Sequence, residues 1–146
     1  MTAQNVLLET LGHCLWAIER RESPEVIGWC GIKLGPDRTP TAGLPELGWT
    51  LDLGWQGQGV ATEAANAVVT WAWAQTAYPR LHAITTPANA ASRAVMVRLG
   101  MHRIAGDDFD HPALPDGDSL RRHVSYTIGR PPARPPGNVR TSAAAR

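Results

Sequence analysis

Lysine is almost missing from this chain of 146 residues: Lys33 stands alone among 14 basic side chains, and the other basic residues are arginine. Cysteine occurs only twice, as Cys14 and Cys30, too few for a disulfide framework and without the spacing of a zinc site. No apolar run reaches the length of a membrane span, because glycine, proline or a charge interrupts each one. The start, MTAQNVLLETLGH, lacks the basic residues and long apolar stretch of a secretory signal. These absences lead to the expectation of a cytoplasmic protein with no metal and no membrane contact.

Hydrophobic residues make up 43% and charged residues 18%, enough apolar material for one packed domain. The formal net charge of +1 hides an asymmetry. Arg130, Arg134, Arg140 and Arg146 lie in a Pro/Arg-rich end that has no acid, while residues 1–129 hold ten bases against thirteen acids. The expected organisation is therefore one mildly acidic domain over residues 1–129, followed by a flexible tail over 130–146. An acidic body argues against a nucleic-acid-binding face.

Along the chain, Val6, Leu7 and Leu11 have helical spacing within a short first segment. CLWAIER (14–20) and VIGWCGIKL (26–34) read as strands of a hairpin around RESPE, and ELGWTLDL (46–53) as a third strand. GPDRTPTAGLP between them is a loop. VATEAANAVVTWAWAQTA (60–77) contains no glycine or proline and places Ala61, Ala64, Ala65, Val68 and Ala72 on one face, which predicts a helix. LHAITT (81–86) is a strand, ANAASRAVMVRLG a second main helix with Asn89 as N-cap and Gly100 as stop, and MHRIAG a short strand. Five aspartates in residues 107–118 predict a solvated loop, and HVSYTIG (123–129) a last strand. The order predicts a mixed α/β (α+β) fold: a mainly antiparallel sheet with one central β-α-β crossover, which makes the third and fourth strands parallel. Trp71 and Trp73 cannot share a helix face, so one packs on the sheet and the other faces elsewhere.

Chemistry concentrates at ELGWTLDLGWQGQGVATEAA, where a strand runs through Gly54, Gly57 and Gly59 into a helix. Consecutive amides freed by glycines, together with the positive end of a helix, form a cradle for phosphate or pyrophosphate; a tight packing turn would look the same. A Walker A loop would need Gly-Lys-Ser/Thr where Val60-Ala61-Thr62 stands. The dinucleotide fingerprint would need a further glycine at Thr62.

Gln56-Gly57-Gln58-Gly59-Val60-Ala61 resembles the Q/R-x-x-G-x-G/A acetyl-CoA loop of the GNAT superfamily of N-acetyltransferases. With ELGWTLDL, ATEA and PANAASRAVMVRLGM in the same order, residues 14–129 resemble the branch that contains RimJ and RimL. The resemblance implies a GNAT-like sheet whose two parallel strands splay to hold acetyl-CoA. It implies pyrophosphate on the amides of Gln56, Gly57, Gln58, Gly59, Val60, Ala61 and Thr62, pantetheine along Leu51-Asp52-Leu53, and Asn89 near the thiol end. The reaction implied is direct acetyl transfer from the thioester to a primary amine, at a protein N-terminus or on a small molecule. Ser92 matches the serine proposed to protonate the leaving thiolate and can equally be an ordinary first-turn serine; Met96 stands where other members carry a tyrosine. Glu46 matches a glutamate invoked as a base, directly or through water, while a strand-end carboxylate more often makes a structural hydrogen bond. His82 reads as a strand histidine, and His123 as a residue that could approach the acceptor side. Members of the family ordinarily carry a strand and one or two helices ahead of the hairpin, where only MTAQNVLLETLGH stands here. Two readings follow, an active transferase or a non-catalytic acyl-CoA-binding module, and an open first edge strand would suit a homodimer.

Overall fold

The computed structural model describes residues 3–132. The chain begins with helix α1 (Ala3–Leu11) and strands β1 (Leu15–Arg20), β2 (Ser23–Leu34) and β3 (Pro45–Leu51). A 3-10 turn (Leu53–Trp55) leads into α2 (Val60–Gln75), followed by β4 (Arg80–Thr85), α3 (Ala90–Arg98), β5 (His102–Arg103), β6 (Phe109–Asp110) and β7 (Arg122–Gly129). The sheet runs β1-β2-β3-β4-β7-β5, with β6 also on β7. Every pairing is antiparallel except β3 with β4, as the crossover through α2 requires. This is the mixed, mainly antiparallel architecture the sequence predicts.

Strand alternation sorts the sheet into two faces. Cys30, Ile32, Leu47, Leu81, Ala83, Val124 and Tyr126 point to one side, where they pack against Ala65, Val68, Val69 and Ala72 of α2 and Val95 and Met96 of α3. Trp16 meets Trp71 edge-to-face at 4.9 Å, whereas Trp73 lies under the Arg130 guanidinium at 5.1 Å. The two tryptophans thus diverge as their spacing demands. Lys33, Glu46, His82 and Thr127 occupy successive register positions on the opposite face and form a polar row across four strands.

Several boundaries differ from the sequence reading. β3 ends at Leu51, because Asp52 caps the 3-10 segment Leu53–Trp55, where Trp55 N–H donates to Asp52 C=O at 2.9 Å. β2 starts at Ser23, so Pro24 sits inside the strand rather than in the turn. The aspartate-rich stretch contributes β6, and flanking arginines bind its acids: Arg103 pairs with Asp108 at 2.6 Å, Arg122 with Asp110, and Arg121 with Asp116. Arg130, where the tail was expected to begin, is docked. Its guanidinium donates to the carbonyls of Tyr78, Trp73 and Thr76 at 3.0, 2.6 and 2.5 Å, satisfying the C-terminal end of α2. The rest of the expected tail from residue 133 lies outside the described residues.

Candidate acyl-donor cleft

The parallel strands β3 and β4 share one register pair, Glu46 with His82, and are unpaired beyond it. β3 nonetheless continues to Leu51, bonded on its other side to β2. Asp52 N–H donates to Ile27 C=O at 3.0 Å, toward β2. By strand alternation the N–H groups of Trp49 and Leu51 point the opposite way, into the gap. A wedge thus opens from Glu46 toward Leu51, edged by peptide groups that a ligand's amides can replace.

The turn at the open end of the wedge adds a second set of donors. Gly57 and Gly59 take positive φ, 74° and 84°, conformations costly for a side-chain-bearing residue. Gly59 is the N-cap of α2 and brings no capping side chain, and the first intrahelical bond runs from Glu63 N–H to Gly59 C=O. The amides of Val60, Ala61 and Thr62 therefore face outward at the positive end of a 16-residue helix. Gln56 Nε2 donates to Leu51 C=O at 3.0 Å and Gln58 Nε2 to Gly54 C=O at 2.7 Å, so both glutamines brace the turn with their side chains.

Between this turn, the wedge and α3 lies a cleft of about 950 Å³. Of the residues expected around the donor, Leu51, Gln56, Gly57, Gly59, Ala61, Thr62, Asn89 and Ser92 line it. Asp52, Leu53, Gln58 and Val60 are not among its lining: Asp52 spends its amide on β2, and Leu53 points to solvent at 87% exposure. Asn89 Oδ1 accepts from Ser92 N–H at 3.0 Å, capping α3 as expected and fixing the first turn that carries the Ser92 hydroxyl. Sequence reasoning missed Trp49, Asn66, Arg98 and Leu99 in the lining. Helical spacing could have found three of them, since Asn66 lies four residues beyond Thr62, Leu99 seven beyond Ser92 and Arg98 seven beyond Ala91.

Glu46 lies outside the cleft lining, at the closed end of the wedge, on the sheet face away from α2 and α3. It is 3% exposed, and both carboxylate oxygens are engaged: Oε1 accepts from Lys33 Nζ at 2.5 Å and Oε2 from Thr41 Oγ1 at 2.8 Å. Its strand partner His82 is also buried, and its Nδ1 has no hydrogen-bond partner among the described residues. Burial pushes the His82 imidazole below its ordinary pKa, with Arg80 adding to the effect and Glu46 and Asp107 opposing it. His123 hydrogen-bonds Arg121 C=O and stacks beside His111 and Phe109. Cys14 and Cys30 are free and buried, and burial lifts the Cys30 thiol to about 12, which removes it as a nucleophile.

The fold is one that known proteins share. Residues 3–102 match the family model described as an acetyltransferase (GNAT) domain. The curated protein YkkB of Bacillus subtilis (strain 168), which has no assigned function, is 31% identical over 91 residues, 62% of this chain and 52% of its own length. The chain thus spans about half of that relative. A solved acetyltransferase from Agrobacterium tumefaciens str. C58 is 32% identical with a TM-score of 0.66, over 86% of this chain and 66% of that one. RimL, the ribosomal L7/L12 alpha-N-protein acetyltransferase solved with coenzyme A, has the same fold at 21% identity and a TM-score of 0.66, over 86% and 67% of the two chains. With the family model covering most of the described fold and the wedge, glycine turn and cleft in the same segment, this chain belongs to the GNAT acetyltransferase family.

Proposed function

We propose that this protein is an acetyl-CoA-dependent N-acetyltransferase that passes an acetyl group directly to a primary amine, at a protein N-terminus or on a small molecule. The observation that carries this reading is the one-pair wedge between β3 and β4 opening onto a cleft that ends in the outward amides of α2. Acetyl-CoA would lay its pyrophosphate on the amides of residues 56–62 and its pantetheine along the gap-facing N–H groups of Trp49 and Leu51. Asn89, already fixed as a cap, would contact the arm near its thiol end. Support comes also from RimL, a member of the same fold solved with coenzyme A.

In the proposed reaction the neutral amine attacks the thioester carbonyl carbon, a C–N bond forms and negative charge collects on oxygen. An unpaired N–H on β3 stabilises that oxyanion. Collapse breaks the C–S bond, and the thiolate takes a proton from Ser92 Oγ, the donor we assign. The nitrogen sheds its surplus proton to solvent, from which the serine oxygen is reprotonated. Glu46, bound on both oxygens, acts in this reading first as the anchor of Lys33 and Thr41 at the closed end.

The test is release of CoA thiol from acetyl-CoA in the presence of a panel of amines and N-terminal peptides. Amine-dependent release supports the proposal. Binding of acetyl-CoA without release across the panel would favour an acyl-CoA-binding module, and no binding would overturn both readings. Ser92→Ala should lower kcat by about 10²-fold with the affinity for acetyl-CoA unchanged, because the Asn89 cap bonds the backbone of residue 92 and survives the substitution.

A further inference from the structure

The reaction proposed above needs a group that takes the proton from the incoming ammonium. The closed end of the wedge holds a buried imidazole, His82, whose Nδ1 has no hydrogen-bond partner among the described residues. We propose that His82 is that proton acceptor and that Glu46 is not. The inference rests on the acetyltransferase reading and adds a residue to it.

Position comes first. Donor phosphates held by the turn after β3 would direct the pantetheine back along that strand toward its start. Leu51 to Glu46 spans about 17 Å at the rise of a β-strand, comparable to an extended pantetheine arm. The thioester would therefore arrive where β3 and β4 close on each other at the Glu46–His82 pair. The row of Lys33, Glu46, His82 and Thr127 flanks that point on the sheet face opposite α2 and α3, with Glu46, His82 and Thr127 buried. An amine brought to the thioester through the wedge would come against it.

The members of that row differ in what is still free. Lys33 is a cation committed to Glu46, and the Glu46 carboxylate is committed to Lys33 and Thr41. Thr127 Oγ1 donates to Leu81 C=O at 3.0 Å. His82 alone retains an unused group, the buried Nδ1, and a neutral imidazole has one nitrogen lone pair to offer. Glu46 from β3, Arg80 from β4 itself and Asp107 from the loop after β5 are the charges that act on it, and Thr127 from β7 is neutral. Burial and Arg80 outweigh the two acids and hold the imidazole below its ordinary pKa, which favours the neutral ring that can accept a proton. In the step itself the ammonium N–H bond breaks with its electrons left on nitrogen, the proton passes to the imidazole, and the freed amine forms the C–N bond. The imidazolium then returns its proton to solvent.

The test compares acceptors whose amines differ in basicity, with CoA release followed against pH in the wild type and in His82→Asn, His82→Gln and Glu46→Gln. Wild type should use alkylammonium acceptors with a rate that is flat from about pH 7 up to the amine's own pKa. In His82→Asn the same acceptors should react about 10²-fold more slowly at pH 7, with a rate that rises with pH until the amine is neutral. Weakly basic acceptors, already neutral at pH 7, should lose little in either histidine variant. Glu46→Gln should keep the wild-type shape of the profile. Equal loss for both acceptor classes, or an unchanged profile in both histidine variants, overturns the role of His82, as does a Glu46→Gln profile that mimics the one predicted for His82→Asn. Wild type that binds acetyl-CoA but acetylates no amine overturns the transferase reading along with it, which separates the two failures.

Discussion

At Gly59 the backbone takes φ 84°, and Gly59, Ala61 and Thr62 line the cleft, so one residue carries both the turn and the opening of the proposed donor site. A Cβ there would meet no neighbouring atom, which leaves backbone strain as the structural cost, about 1–2 kcal/mol for an L-residue in the left-handed region. Gly59→Asp adds a carboxylate where the proposed function puts the donor's phosphates and should weaken acetyl-CoA binding by at least about tenfold, or about 1.4 kcal/mol, by calorimetric titration. Gly59→Asn, which tolerates positive φ and is uncharged, should bind closer to wild type. The glycine turn and Asn89 were legible because their chemistry is local: positive φ and helix capping leave marks within a few residues. The state of Glu46 was not legible, because it depends on Lys33, thirteen residues away and brought in by strand pairing, and on Thr41, five residues away and brought in by the fold of the β2–β3 loop. For the same reason His82 read as an ordinary strand residue, since an unpartnered nitrogen is a property of the assembled sheet face.

Among the elements, β2 shows how closely the sheet is fitted. A Cβ on Gly31 would lie 2.1 Å from the Cys14 carbonyl oxygen, and one on Gly28 2.2 Å from that of Thr50. Both obstacles are backbone, which cannot swing aside as a side chain would. Gly31→Ala should push β1 off the sheet and cost at least about 2 kcal/mol in chemical denaturation. Helix α2 was legible from its uninterrupted apolar periodicity, and the parallel β3–β4 pair followed from the crossover. The details that depend on a distant partner were hidden. His13 is fully buried, between Ile32 C=O at 2.9 Å and the Tyr78 hydroxyl at 2.7 Å, and β6 forms only because β7 supplies its pairing partner. Asn89→Ala should loosen the first turn of α3 and cost about 1 kcal/mol, as loss of an N-cap does.

For the molecule as a whole, the sheet separates its tasks by face: apolar packing against α2 and α3 on one side, a polar row on the other, and a wedge between β3 and β4 connecting them. This division has a pH signature. Burial holds His82 and His111 below their ordinary value of 6.5, with His123 adding to the shift of His111. The unfolded chain therefore binds more protons than the folded one once pH falls below about 6.5. Stability contributed by the neutral rings is present above that value and is lost as pH descends through the lowered folded values. Thermal unfolding followed from pH 7.5 to 5 should show Tm falling on the acid side, and His82→Asn should flatten part of the fall. No helix among the described residues is long and apolar enough to cross a membrane. The measurement that tests the central claim most directly is CoA thiol release from acetyl-CoA with an amine panel, run on wild type and Gly59→Asp. Wild type should show amine-dependent release that is lost in Gly59→Asp. Absence of acetyl-CoA binding by wild type, or release that Gly59→Asp leaves unchanged, would contradict the claim.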